Sequence, residues 1–115
     1  MKLPNRVSAV IPDAKVTDYL LSASHPYGRH KAVFFRLFGF SADSPETLAT
    51  ALHRHAEEND VASEDDSPFG QCYIVEGALN APDGRTPMVR VIWFVETGEE
   101  SPRLVTVYPL ERGAR

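Results

Sequence analysis

The hydrophobic pattern changes period once along this chain, and that change limits the folds open to it. Up to about residue 58 the apolar residues recur three and four apart, and from Phe69 onward they alternate. Helices therefore come first and strands second, which predicts an α+β layer fold. Pro12 suits the first position of a helix over 13–21, with Val16, Tyr19 and Leu20 on one side. A second helix spans 29–37 or 38, with Gly39 just past its end. Ser44-Pro45-Glu46 opens a third, which runs to about Glu58 with Leu48, Leu52, His55 and Ala56 in register. Before these, residues 1–11 form a lead-in where Val7, Ala9 and Ile11 alternate with other residues, as in a short strand or extended arm. Strands follow at 69–79, 88–96 and 103–108, the last stopped by Pro109. Turns fall at Pro82-Asp83-Gly84 and 98–101, and 61–65 adds a short acidic edge strand. The prediction is two to three N-terminal helices packed on a three- to four-stranded antiparallel meander, in a single domain over 1–115.

The second helix carries the oddest charges. Turning about 100° per residue from Arg29, the residues Ala32, Val33, Phe34, Phe35, Leu37 and Phe38 cover most of the circumference, and Arg29 and Arg36 share one polar stripe. A helix that apolar on all sides is expected at the buried centre of a small domain. Lys31 is the misfit. It falls among Phe34, Phe35 and Phe38, and in the first turn, where the helix dipole disfavours a cation.

Composition narrows the function classes. At 115 residues, 43% hydrophobic and 24% charged, the chain has the make-up of an ordinary globular domain. One cysteine, Cys72, excludes an intramolecular disulfide and the multi-cysteine zinc motifs, which suits a reducing cytoplasm. No secretion signal is apparent, and the longest wholly apolar run, 91–95, cannot span a bilayer, so no membrane association is expected. The net charge of −4 conceals an uneven distribution. Residues 57–66 hold six acids and no base, and the remainder is slightly basic. Arg29, Lys31 and Arg36, with His25 and His30 beside them, form a small cluster of the kind a nucleic-acid footprint needs. The same residues also read as a solvated helix face.

Several residues could carry chemistry. Unpaired amides at Arg29, His30 and Lys31 would make the start of the second helix a natural seat for a phosphate or carboxylate, and Gly28 would allow close backbone approach. His25, in the turn before, could move a proton beside such an anion. The plainer readings are a turn hydrogen bond for His25 and, for Lys31, an aliphatic stem that runs along the core to the surface. Thr106 and Tyr108 share one face of the last strand, a hydroxyl pair suited to a substrate platform. Trp93 joins them or the core according to register. Arg90 faces away from Trp93 and has Glu76 or Glu96 as a surface partner. His53 and His55 stand two apart on the third helix and point apart, which excludes a metal pair there. Cys72 reads as a small buried apolar residue. No phosphate-binding glycine loop, dinucleotide fingerprint, zinc spacing or nucleophile elbow is present, so no cofactor is expected. Cofactor-free acid–base chemistry on a phosphodiester, or simple binding, remains compatible.

Leucine-proline-asparagine near the start, the tyrosine-leucine-leucine helix, His-Pro-x-Gly-x-x-Lys-Ala at 25–32, and Trp93 followed by Thr106-x-Tyr108-Pro109 carry a resemblance. Over roughly residues 3–109 the chain resembles small bacterial domains of unknown function, which are similar to the C-terminal cassettes of polymorphic and contact-dependent toxins. Those cassettes resemble, more remotely, the barnase–EndoU–colicin–RelE superfamily of metal-independent ribonucleases. The resemblance implies RNA as substrate. It places His25, Lys31, Trp93, Thr106 and Tyr108 on the recurrent polar and aromatic positions of those domains. With the reading of the residues themselves, His25, Lys31, Thr106 and Tyr108 are expected to be catalytic, and Gly28, Arg29, His30, Arg90 and Trp93 to bind substrate. It implies a small cognate antitoxin or immunity protein encoded next door. Relatives often carry serine or threonine two residues before the tryptophan, where this chain has Val91, a departure that would weaken or abolish activity if that hydroxyl mattered. The second reading is a non-catalytic interaction module, an immunity or accessory protein.

Overall fold

The computed structural model describes residues 1–22, residue 24 and residues 29–110, and for Arg29 the backbone alone. Helix α1 begins at Asp13–Lys15 and continues as a π-helical stretch, Val16–Leu20. Helices α2 (Arg29–Leu37) and α3 (Pro45–Glu58) follow. Strands β1 (Val61–Ser67), β2 (Gly70–Ala78), β3 (Met88–Glu96) and β4 (Arg103–Pro109) form one antiparallel sheet in chain order. This is the α+β order of helices before strands that the change of period predicts.

The ends of the helices follow local chemistry. Pro45 occupies the first turn of α3, where its missing N–H costs nothing, although the Ser44 side chain makes no capping hydrogen bond. Helix α2 ends because Gly39 adopts φ 99°, which lets the Phe40 amide reach the Phe35 carbonyl at 3.0 Å. The Phe35 and Phe40 rings then meet edge to face, 5.8 Å apart. Arg85, in the β2–β3 connection, donates to the Leu37 carbonyl at 2.7 Å and lies over the Phe38 ring, a cation at the negative end of the helix.

The lead-in departs from the expected alternation. Asn5 takes a left-handed conformation (φ 56°) and starts a tight turn at Arg6–Ser8, leaving Val7 90% exposed. Strand-like pairing is confined to a single parallel bridge between Val10 and Arg103. The segment acts instead as a clasp. The Met1 carbonyl accepts from the Val61 amide beside β1, Leu3 is buried, and Val10 pairs alongside β4.

One face of the sheet makes the core. Val75, Val89, Val91, Trp93, Leu104 and Val107 are buried there with Leu20, Phe35, Leu48 and Leu52 from the helices. Helix α2 does not occupy the centre that its apolar sequence suggests. Ala32 and Phe35 are fully buried, but Val33 and Leu37 stand 67% and 65% exposed. The helix packs beside α1 and the edge strand β4, with Arg85 at its C-terminal end, and the side that carries Val33 and Leu37 stays uncovered. Cys72 is half-buried on β2, where burial first and then Asp65 push its thiol pKa up.

Two consequences can be measured. Gly70 opens β2, and a methyl group there would sit 2.2 Å from the Val95 carbonyl oxygen, which is backbone and cannot give way. Gly70→Ala is expected to destabilise the domain by about 3 kcal/mol, the upper end for overpacking, read as a lowered urea midpoint. His55 is fully buried on α3, its Nε2 3.2 Å from the Gly77 carbonyl and its Nδ1 without a partner among the described residues. Burial holds the imidazole below its ordinary pKa of 6.5, against smaller opposing effects of Gly77, Glu58 and Val89. The unfolded chain therefore binds a proton near 6.5 that the folded one still refuses. This contribution is complete above that pH and is lost as pH falls toward the folded value. The urea midpoint is expected to drop between about pH 7 and 5, and to drop less in His55→Leu.

Candidate functional site

The residues that converge lie where α1 and α2 meet β4. The π-helical stretch carries Tyr19 and the first turn of α2 carries Lys31. The Lys31 ammonium donates to Tyr19 Oη at 3.0 Å, and the two hydroxyls of Tyr19 and Thr106 share a hydrogen bond of 3.3 Å. Lys31 Nζ also stands 4.3 Å from the centre of the Tyr108 ring and 5.3 Å from that of Tyr19. Lys15, one turn before Tyr19, places its own ammonium 5.3 Å from the same ring. No carboxylate pairs with Lys31 among the described residues. The cation is stabilised by ring faces and a hydroxyl instead, which leaves its charge uncancelled.

The electrostatics of Tyr19 follow from this company. Burial pushes its pKa up, but hydrogen bonds with Thr106 and Lys31 and the charges of Lys31 and Lys15 outweigh it. The phenol is left below its ordinary value of 10.0. Thr106 is buried, Lys31 half-buried and Tyr108 43% exposed, so the cluster runs from the interior to the surface. Beyond Lys31, one turn along α2, Phe34 and Phe38 line an open cleft of about 460 Å³ with Arg85, Pro87, Met88 and Leu110.

Register decides which of the remaining candidates belong. Thr106 pairs with Ile92 and Tyr108 with Arg90, so these four share a face, while Val91 and Val107 point into the core. A bulge between Ile92 and Trp93 sets Trp93 opposite Leu104, and its ring is fully buried, with Nε1 lacking a partner among the described residues. Trp93 is thus a core residue turned away from Thr106 and Tyr108, and Val91, two residues earlier, shares that buried face. Arg90 stands beside Tyr108, but its Nε donates to Glu76 Oε2 at 2.7 Å, so a surface ion pair engages it. His30 is exposed on the first turn of α2. His25, Gly28 and the side chain of Arg29 lie outside the described residues. Among the described residues no three His, Cys, Asp or Glu side chains group as a metal site would, and no helix is long and apolar enough to cross a membrane.

The sequence names Tyr19 as part of the first helix's apolar side, with Val16 and Leu20, but gives it no chemical role, and so it reads as core. A faint signal was present in Lys15, four residues earlier, which puts a cation over the same ring.

The fold has relatives. A chain of a contact-dependent growth inhibition toxin–immunity protein complex from Klebsiella pneumoniae 342 superposes with a TM-score of 0.72. The match covers 94% of this chain and 98% of that one at 21% identity, which establishes a common fold. No curated protein sequence matches. The profile of a domain of unknown function, DUF6883, matches residues 2–111, nearly the whole chain, and the protein belongs to that family.

Proposed function

We propose that this domain is a toxin-like, metal-independent ribonuclease of a toxin–immunity or toxin–antitoxin system, working at the Lys31–Tyr19–Thr106 cluster. The observation that carries the reading is the Lys31 ammonium, which stands over the rings of Tyr19 and Tyr108 and donates to the Tyr19 hydroxyl, with no described carboxylate to neutralise it. Such a cation draws a phosphodiester, and it gains most when charge builds on the phosphate oxygens in the transition state. Thr106 supplies a hydroxyl at the same spot and Tyr108 a ring beside the ammonium, and the adjoining Phe34–Phe38 cleft suits a nucleobase. The shared fold with a chain from a toxin–immunity complex supports the setting, and a cognate protein partner follows from it. His25, Gly28, Arg29 and His30, at or just before the start of α2, belong to the same proposal as groups flanking the phosphate. Arg90 and Trp93 do not, one being engaged by Glu76 and the other buried.

A second reading, an immunity or accessory module, is favoured by the exposed Val33 and Leu37, an aliphatic pair one turn apart on α2 that a protein partner could cover. Incubating the purified protein with total RNA in the presence of a chelator separates the two. Discrete cleavage products support the ribonuclease. Intact RNA at every pH tried, with no growth arrest on expression, would leave the interaction module.

A further inference from the structure

Resting on the ribonuclease reading, we infer that Tyr19 is the group that takes the proton from the attacking ribose hydroxyl, with Lys31 as the proton's route back. Three features of its placement carry this. Tyr19 Oη is hydrogen-bonded to a cation at 3.0 Å and to a buried threonine hydroxyl at 3.3 Å, so both partners stabilise an oxyanion at that atom. A second ammonium, that of Lys15, lies 5.3 Å from the centre of the same ring and adds to the positive charge around the phenol. The oxygen also lies beside the cation that would hold the phosphate, which is where a base for the neighbouring 2′-hydroxyl must stand. The lowered pKa of the phenol agrees with this geometry.

The step balances. The Tyr19 phenolate accepts the 2′-hydroxyl proton while the 2′-oxygen bonds to phosphorus. The bond from phosphorus to the 5′-oxygen breaks, leaving a 2′,3′-cyclic phosphate. The departing 5′-oxygen takes a proton from the Lys31 ammonium. Tyr19 then carries the extra proton and Lys31 lacks one, and transfer along their existing hydrogen bond restores the starting pair. No metal, oxidant or second cofactor enters the step.

Two measurements test it. The first follows tyrosine ionisation by ultraviolet difference absorbance, with Tyr19→Phe as the blank. One tyrosine is expected to titrate below the ordinary value of 10.0, to vanish in Tyr19→Phe, and to move upward in Lys31→Met and in Thr106→Val. A Tyr19 that titrates at or above the ordinary value overturns the inference. The second is the pH profile of single-turnover RNA cleavage. The wild-type rate is expected to rise with pH and level off at the Tyr19 midpoint. Tyr19→Phe, which keeps the ring, should lose about 10²–10⁴-fold in rate together with that inflection. Tyr19→Phe cleaving at the wild-type rate with the same profile would overturn the role of Tyr19 and leave the ribonuclease standing. Wild-type protein that cleaves no RNA would overturn both.

Discussion

Trp93→Ala is expected to cost the fold about 3–5 kcal/mol, the range for removing a large aromatic side chain from a packed core. For a domain with about 5–15 kcal/mol in hand, that is a large share, and the thermal midpoint should fall by about 10–25 °C. The reason lies in position. Trp93 is fully buried in mid-sheet, opposite Tyr73 on β2 and Leu104 on β4, so truncation removes packing from both neighbouring strands. Trp93→Phe should lose much less, because it keeps ring packing and removes an indole N–H that has no described partner. Circular dichroism melts of the two variants decide the matter. A loss below about 1 kcal/mol in Trp93→Ala, the size expected for a surface site, would return the ring to a solvent-facing role.

Lys31→Met is expected to lower RNA cleavage by about 10²–10³-fold, about 3–4 kcal/mol of transition-state stabilisation, while the thermal midpoint changes little. Methionine keeps an aliphatic stem and removes the charge over Tyr108. Lys31→Arg should recover part of the rate, since a guanidinium also lies flat on a ring and binds phosphate. Equal rates in Lys31→Met and wild type would exclude the ammonium from the reaction. A collapse in stability with no change in the rate per folded molecule would assign it to packing.

Much of the architecture was legible because its signals are local. Proline at the start of α3, glycine after α2 and the Pro82-Asp83-Gly84 turn each act through backbone geometry that one or two residues decide. The acidic run over 61–65 became β1, an exposed edge strand whose charges discourage pairing with another sheet. What failed to show were the properties that depend on neighbours distant in sequence. Helix α2 is apolar on most sides, yet periodicity cannot tell how many sides will be covered, and the side with Val33 and Leu37 is left bare. Strand alternation placed Thr106 and Tyr108 together, but the β3–β4 register, which pairs Thr106 with Ile92, decides that Trp93 stands on the other face. Lys31 was legible as a misfit. Its phenol partner was not, because a tyrosine on an apolar stripe looks like core until Thr106 arrives beside it.

That arrival comes late. Tyr19 and Thr106 are separated by 87 positions, and the strands lie side by side in the sheet in the order in which they are synthesised. A nascent chain on the ribosome can fold α1, α2 and α3 and pair its first three strands while the Lys31–Tyr19 couple still lacks its threonine and its second ring. Completion of the cluster therefore waits for β4, the last of the four strands in the sequence, to leave the exit tunnel.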